Sequence, residues 1–77
     1  MQYTDNYQDL FLKEARRDRA MLTVFLVNGF QLRGVVTGYD QFVILLLSEG
    51  KQEMIYKHAV STIIPLVPIR LTQASAE

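Results

Sequence analysis

The sequence has no cysteine and no tryptophan, and only one histidine, two prolines and four glycines in 77 residues. Without cysteine, no disulfide staples a small fold. With one histidine and no cysteine, no Cys/His set builds a structural zinc site, so the expectation is no metal and no cofactor. No apolar run approaches the ~20 residues that cross a bilayer. The first dozen residues are polar and acidic rather than basic and then apolar, so the expectation is a soluble, cytoplasmic chain without a secretory leader. No charge of one sign prevails either, because eight basic side chains cancel eight acidic ones. Any attraction for a charged partner must come from where those charges sit.

What the chain does have is apolar surface. Hydrophobic residues make up 49% of it, in a chain near the lower limit for burying an adequate core alone. With disulfides and zinc excluded, oligomerisation is the remaining common route to stability. The expectation is an assembly.

Along the chain, residues 1–6 are polar and expected to be flexible. Asn6 is an N-cap candidate, and Asp9 favours the positive end of a helix dipole. Tyr7, Leu10, Phe11 and Ala15, with Glu14 near the edge, follow the spacing of one helical face. The helix is expected over 7–18. Lys13, Arg16, Arg17 and Arg19 lie in or just after its second half, where cations suit the dipole. The β-branched and aromatic run 22–27 then reads as a strand, ending at Asn28-Gly29, the strongest short hairpin signal. A second strand over 30–39 contains Gly34 and Gly38, which mark a bend or a close backbone approach. Asp40-Gln41 makes a turn, and 42–47 is a continuous apolar run expected to be buried on both faces. After the polar turn 48–51, strands over 52–57 and 60–64 flank a short connection at His58-Ala59. Pro65 ends the last strand. Residues 66–77 read as a short tail without a clear period.

The fold class is therefore mainly β. One helix precedes five strands in meander order, bent into a small open barrel. The last two strands read as half-apolar edges, a hazard unless another chain pairs with them. Closure of such pairing into a ring accounts for both the edges and the apolar excess.

Asn28-Gly29 followed by Leu32 and Gly34, then Asp40-Gln41-Phe42, then Tyr56-Lys57-His58-Ala59-Val60-Ser61-Thr62, closely resembles the bacterial Hfq family of Sm-like RNA chaperones. Gln8-Asp9, Phe11-Leu12 and Arg16-Arg17 extend the match, which covers roughly residues 6–65. The resemblance implies an Sm-like domain over 7–65 and a homo-oligomeric ring, usually a hexamer in that family, in which the fourth strand of one subunit pairs with the fifth of the next. It implies an RNA chaperone with three RNA-binding surfaces, holding U-rich ends of small regulatory RNAs and purine-rich mRNA segments and promoting their pairing.

The proximal surface would comprise Gln8, Gln41, Phe42, Tyr56, Lys57 and His58. Phe42 offers a flat face for a base, Lys57 a donor for a uracil carbonyl, Gln8 a donor and an acceptor, and His58 a contact to ribose or phosphate. The distal surface would comprise Phe25, Gly29, Phe30, Gln31, Leu32, Arg33, Glu53 and Thr62. Its aromatic pair matches Gram-positive-type members and a two-nucleotide repeat. Position 53 departs from the family, where many members carry a glutamine that reads adenine by accepting and donating. An ionised Glu53 accepts only and adds a negative charge near phosphate, so the distal-site sequence preference stays open. The rim would comprise Lys13, Arg16, Arg17 and Arg19, arginine being suited to phosphate and base contacts.

Two other readings are weighed against this one. His58 and Lys57 as an acid–base pair cleaving RNA would need a second partner flanking the scissile phosphate, and there is one histidine with no carboxylate beside it in sequence. An Sm-like structural ring working mainly through protein partners, with RNA secondary, is compatible with zero net charge.

Overall fold

The computed structural model describes residues 6–71. The expected flexible segment up to residue 5 and the end of the expected tail, 72–77, lie outside the described residues. Asn6 opens the helix as an N-cap: its Oδ1 accepts from the Asp9 amide at 2.8 Å, satisfying one of the unpaired donors of the first turn. Helix α1 spans Tyr7–Asp18, the bounds expected from its pattern. It ends at Arg19, which adopts a left-handed conformation (φ 52°), and the Ala20 amide donates to the Ala15 carbonyl at 3.0 Å. The buried arc consists of Leu10, Leu12, Glu14 and Ala15. Tyr7, expected on the apolar face, is 75% exposed, whereas Leu12 is 1% exposed.

Five antiparallel strands follow: β1 (Met21–Leu26), β2 (Gln31–Tyr39), β3 (Val43–Ser48), β4 (Lys51–Tyr56) and β5 (Val60–Pro65). The turn between β1 and β2 uses Gly29 at φ 94°, with the Phe30 amide donating to the Asn28 side chain at 3.0 Å. The strands here are one residue shorter than expected on each side of the turn. Val27 sends its amide to the Ala59 carbonyl instead, at 2.8 Å.

The sheet order is β4-β3-β2-β1-β5. This corrects the expected meander, which holds only for the first four strands. Lys57–Ala59 forms a single 3-10 turn that carries the chain across to pair β5 with β1, Thr23 opposite Ile64. Strands β4 and β5 are consequently the two edges, as their half-apolar patterns indicated. The bend expected at the glycines is present. A Cβ on Gly34 would strike the Leu47 carbonyl, so β2 and β3 approach this closely only with glycine there, and the β2–β3 register shifts between Val36 and Gly38.

The core joins Leu12 and Ala15 of the helix to Leu22, Val24, Val36, Ile44, Leu46 and Ile55 of the sheet. Each fully buried leucine contributes about 1.5–3 kcal/mol. The run 42–47 departs from expectation, because only Ile44 and Leu46 are buried, while Leu47 and Phe42 are exposed. One face of an antiparallel sheet is covered here, and the other is open. On that outer face the edge strands expose Met54, Tyr56 and Ile64. The beginning of the tail belongs to the body of the fold: the Leu66 amide donates to the Met21 carbonyl at 2.9 Å, and Ile69 packs against the core. No helix among the described residues is long and apolar enough to cross a membrane.

Candidate nucleic-acid interface

The turn at Asp40 organises the first cluster. Asp40 Oδ1 accepts from the Phe42 amide at 2.7 Å and from the Val43 amide at 2.9 Å. These donors, first Phe42 and then Val43, hold its carboxyl below the ordinary aspartate value, with a further contribution from the Lys57 ammonium. The loop is thereby tied down while the Phe42 ring stands 69% exposed. The Phe42 carbonyl accepts from the Lys57 amide at 2.8 Å, so residues 42 and 57 are fixed side by side through the backbone. Gln41 is exposed on the same loop.

Lys57 is the least exposed cation among the ion-paired ones, its side chain at 13%. Its Nζ lies 4.0 Å from Asp9 Oδ1 and 5.8 Å from the Tyr39 ring centroid. Gln8 and Lys57 line one cleft of about 280 Å³, with Phe11 and Ile44 on its apolar side and Val60 to Ile63 of the open β5 edge along its rim. Tyr56 and His58 lie beside it, their rings stacked with centroids 5.7 Å apart and planes 16° apart. The fold thus gathers Gln8, Gln41, Phe42, Tyr56, Lys57 and His58 around one turn and one helix end.

The hairpin residues are divided by the pleat. Gln31 faces Phe25 and Phe25 faces Thr62 across β2, β1 and β5, so these three share the outer face, and Arg33 alternates onto it as well. Leu32 pairs with Val24 and Glu53 with Leu46, which puts both on the core face. Gln52, paired with exposed Leu47, is on the opposite face from Glu53, as regular alternation requires. Gly29 and Phe30 stand exposed in the turn. Thr62 also lines the Gln8–Lys57 cleft, so it is not confined to the hairpin group.

On the helix, Lys13, Arg16 and Arg17 are exposed along one side and Arg19 follows at the cap. They are not equivalent. Arg17 is engaged by Glu14, which is buried, and by Asp18 at 3.3 Å. Arg16 instead places its guanidinium 5.6 Å from the Tyr39 ring centroid. Tyr39 escaped the sequence reading although it touches cations of both groups. The available signal was an aromatic residue at the end of a strand, directly before the Asp40 turn. Among the described residues no group of His, Asp and Glu could hold a metal ion.

The model of the Hfq protein family matches residues 7–70. The chain belongs to the Hfq family. It is 53% identical over 70 residues to the RNA-binding protein Hfq of Alkaliphilus metalliredigens, covering 91% of this chain and 88% of that one. It is 57% identical over 70 residues to the RNA-binding protein Hfq of Moorella thermoacetica, covering 91% and 83%. Among solved structures it is similar to a crystal structure of the pleiotropic translational regulator Hfq, with a TM-score of 0.75 and 47% identity, covering 77% of this chain and 98% of that chain. The Sm-like fold of the Hfq family is the one built here, a helix followed by a bent five-stranded antiparallel sheet.

Proposed function

We propose that this chain is an RNA chaperone, binding U-rich ends of small regulatory RNAs and purine-rich mRNA segments and promoting their pairing in the cytoplasm. The observation that carries the reading is the pairing of an exposed Phe42 ring with a recessed Lys57 across one backbone hydrogen bond, 2.8 Å long. A base stacks on the ring while the lysine, held beside Gln8, meets a carbonyl on its edge. His58 reaches ribose or phosphate. Binding of this kind requires no bond to be made or broken, and in this reading the chain acts as a binding protein and not as an enzyme.

Residues 7–65 form the RNA-binding unit in this reading. The free edges of β4 and β5, with Met54, Tyr56 and Ile64 exposed beside them, support a homo-oligomeric ring of about six subunits closed by β4–β5 pairing. Closure repeats the pocket around an axis, and two RNAs on one ring gain effective concentration for each other. The hairpin residues and the basic helix side serve as the distal and rim surfaces.

Fluorescence anisotropy with a U-rich oligonucleotide, paired with the native mass of the assembly, tests the reading. Lys57→Ala is expected to abolish tight U-rich binding and to leave the ring mass unchanged. Undiminished binding by an intact Lys57→Ala ring would overturn the pocket assignment.

A further inference from the structure

We propose that Tyr39 is a positioning residue for the U-rich pocket, holding the Lys57 ammonium in place through the electron-rich face of its ring. The inference rests on the RNA-binding reading above. Lysine carries its charge on a flexible four-carbon stem, and the backbone hydrogen bond at residue 57 fixes only the root of that stem. Two groups locate its far end. The Asp9 carboxylate lies 4.0 Å from Nζ, longer than a hydrogen bond. The Tyr39 ring centroid lies 5.8 Å from it, within reach of a cation–π attraction. The Lys57 side chain is only 13% exposed, so water screens both attractions weakly. The ammonium is thus located by charge, and its N–H donors remain for a base edge.

The fold makes Tyr39 a firm support. It ends β2 opposite Ile44, which is buried, and it packs against the core. The next residue is pinned as well, the Asp40 amide donating to the Val43 carbonyl at 3.0 Å, in the turn that carries Phe42. The stacking residue and the ammonium are therefore referred to the same turn, Phe42 directly and Lys57 through Tyr39. The ring draws a second cation, the Arg16 guanidinium, 5.6 Å from its centroid. A leucine at position 39 would supply apolar volume but no negative face. Because the ammonium is held before RNA arrives, the cost of ordering the lysine stem falls on folding and not on binding.

The test uses the full chain, fluorescence anisotropy with a U-rich and a purine-rich oligonucleotide, and a series at position 39. The series comprises Tyr39→Phe, Tyr39→Leu, and phenylalanine carrying one, two or three ring fluorines. Fluorine withdraws electron density from the ring face and changes its size little, so the cation attraction weakens in steps while the packing is kept. Tyr39→Phe is expected to bind the U-rich oligonucleotide within about two-fold of the parent. Affinity then falls with each fluorine. The trifluorinated protein and Tyr39→Leu bind on the order of 3- to 30-fold more weakly, the range of one partly desolvated cation–π contact. Purine-rich binding and the native mass stay unchanged across the series. The fall persists in Arg16→Ala, which leaves the ring to Lys57 alone. The fluorinated proteins are near-isosteric, so the series is read even if Tyr39→Leu folds poorly. U-rich affinity independent of fluorine number overturns the proposal, as does loss of the trend in Arg16→Ala. An equal fall for both oligonucleotides also overturns it, because that marks a packing role. If the parent binds the U-rich oligonucleotide and the series is flat, only the Tyr39 assignment fails. If the parent does not bind it, the RNA-binding reading fails too.

Discussion

Phe42→Ala separates a binding residue from a packing residue more cleanly than any other change in this chain. Phe42 is 69% exposed, and its loop is held by the Asp40 carboxylate and the Lys57 amide, both of which bond the backbone of residue 42. Removing the ring therefore empties no cavity. Folding stability should change by no more than about 0.5 kcal/mol, as for other surface positions. Removing a stacking platform costs ~1–3 kcal/mol per base, which is about 5- to 150-fold in affinity at each occupied pocket. On a U-rich oligonucleotide that spans several pockets the losses compound. Urea denaturation followed by intrinsic tyrosine fluorescence gives the first quantity, and anisotropy with the U-rich oligonucleotide gives the second. Phe42→Tyr keeps the aromatic face and should bind within about two-fold of the parent. A loss of more than about 1 kcal/mol of stability in Phe42→Ala would show that the ring packs in the assembly. A fall in affinity below about two-fold, with the fold intact, would refute stacking on Phe42.

Three further outcomes follow from the geometry. Gly34→Ala forces a Cβ into the Leu47 carbonyl, backbone against backbone, and should destabilise by about 1–3 kcal/mol in chemical denaturation; full stability would mean that the β2–β3 bend does not require glycine. Because the Asp40 pKa is depressed in the folded state, its stabilisation of the loop is complete above the ordinary value of 3.8 and is lost as pH falls through the lower folded value. The amide NMR shifts of Phe42 and Val43 should titrate together with a midpoint below 3.8, and a midpoint at or above it would contradict the two hydrogen bonds. On the helix, Arg16→Ala should reduce the slope of log affinity against log salt by about 0.7, the value for one single-strand phosphate contact. Arg17→Ala should change it little, because Glu14 and Asp18 already engage Arg17; equal effects of the two would mean that RNA displaces those carboxylates.

Much of this molecule is legible from neighbouring residues alone. Asn6 and Asp9 set where the helix begins. The 3.6-residue spacing sets how far it runs, and Asn28-Gly29 sets the first turn. The half-apolar sequences of 52–57 and 60–64 announced two edge strands. Such features depend on hydrogen bonds and side-chain contacts within a few positions, so order along the chain is enough to read them. The arrangement Asp40-Gln41-Phe42 with Tyr56-Lys57-His58 likewise identified the family. Tertiary structure decided the rest, because it concerns how elements pack on one another. It sent β5 across to β1 and not beside β4, and it left Tyr7 bare while burying Leu12. It tucked Lys57 between Asp9 and Tyr39, and it turned Glu53 inward against Leu46. These outcomes depend on how whole elements pack, settled by which faces the bent sheet can cover at once.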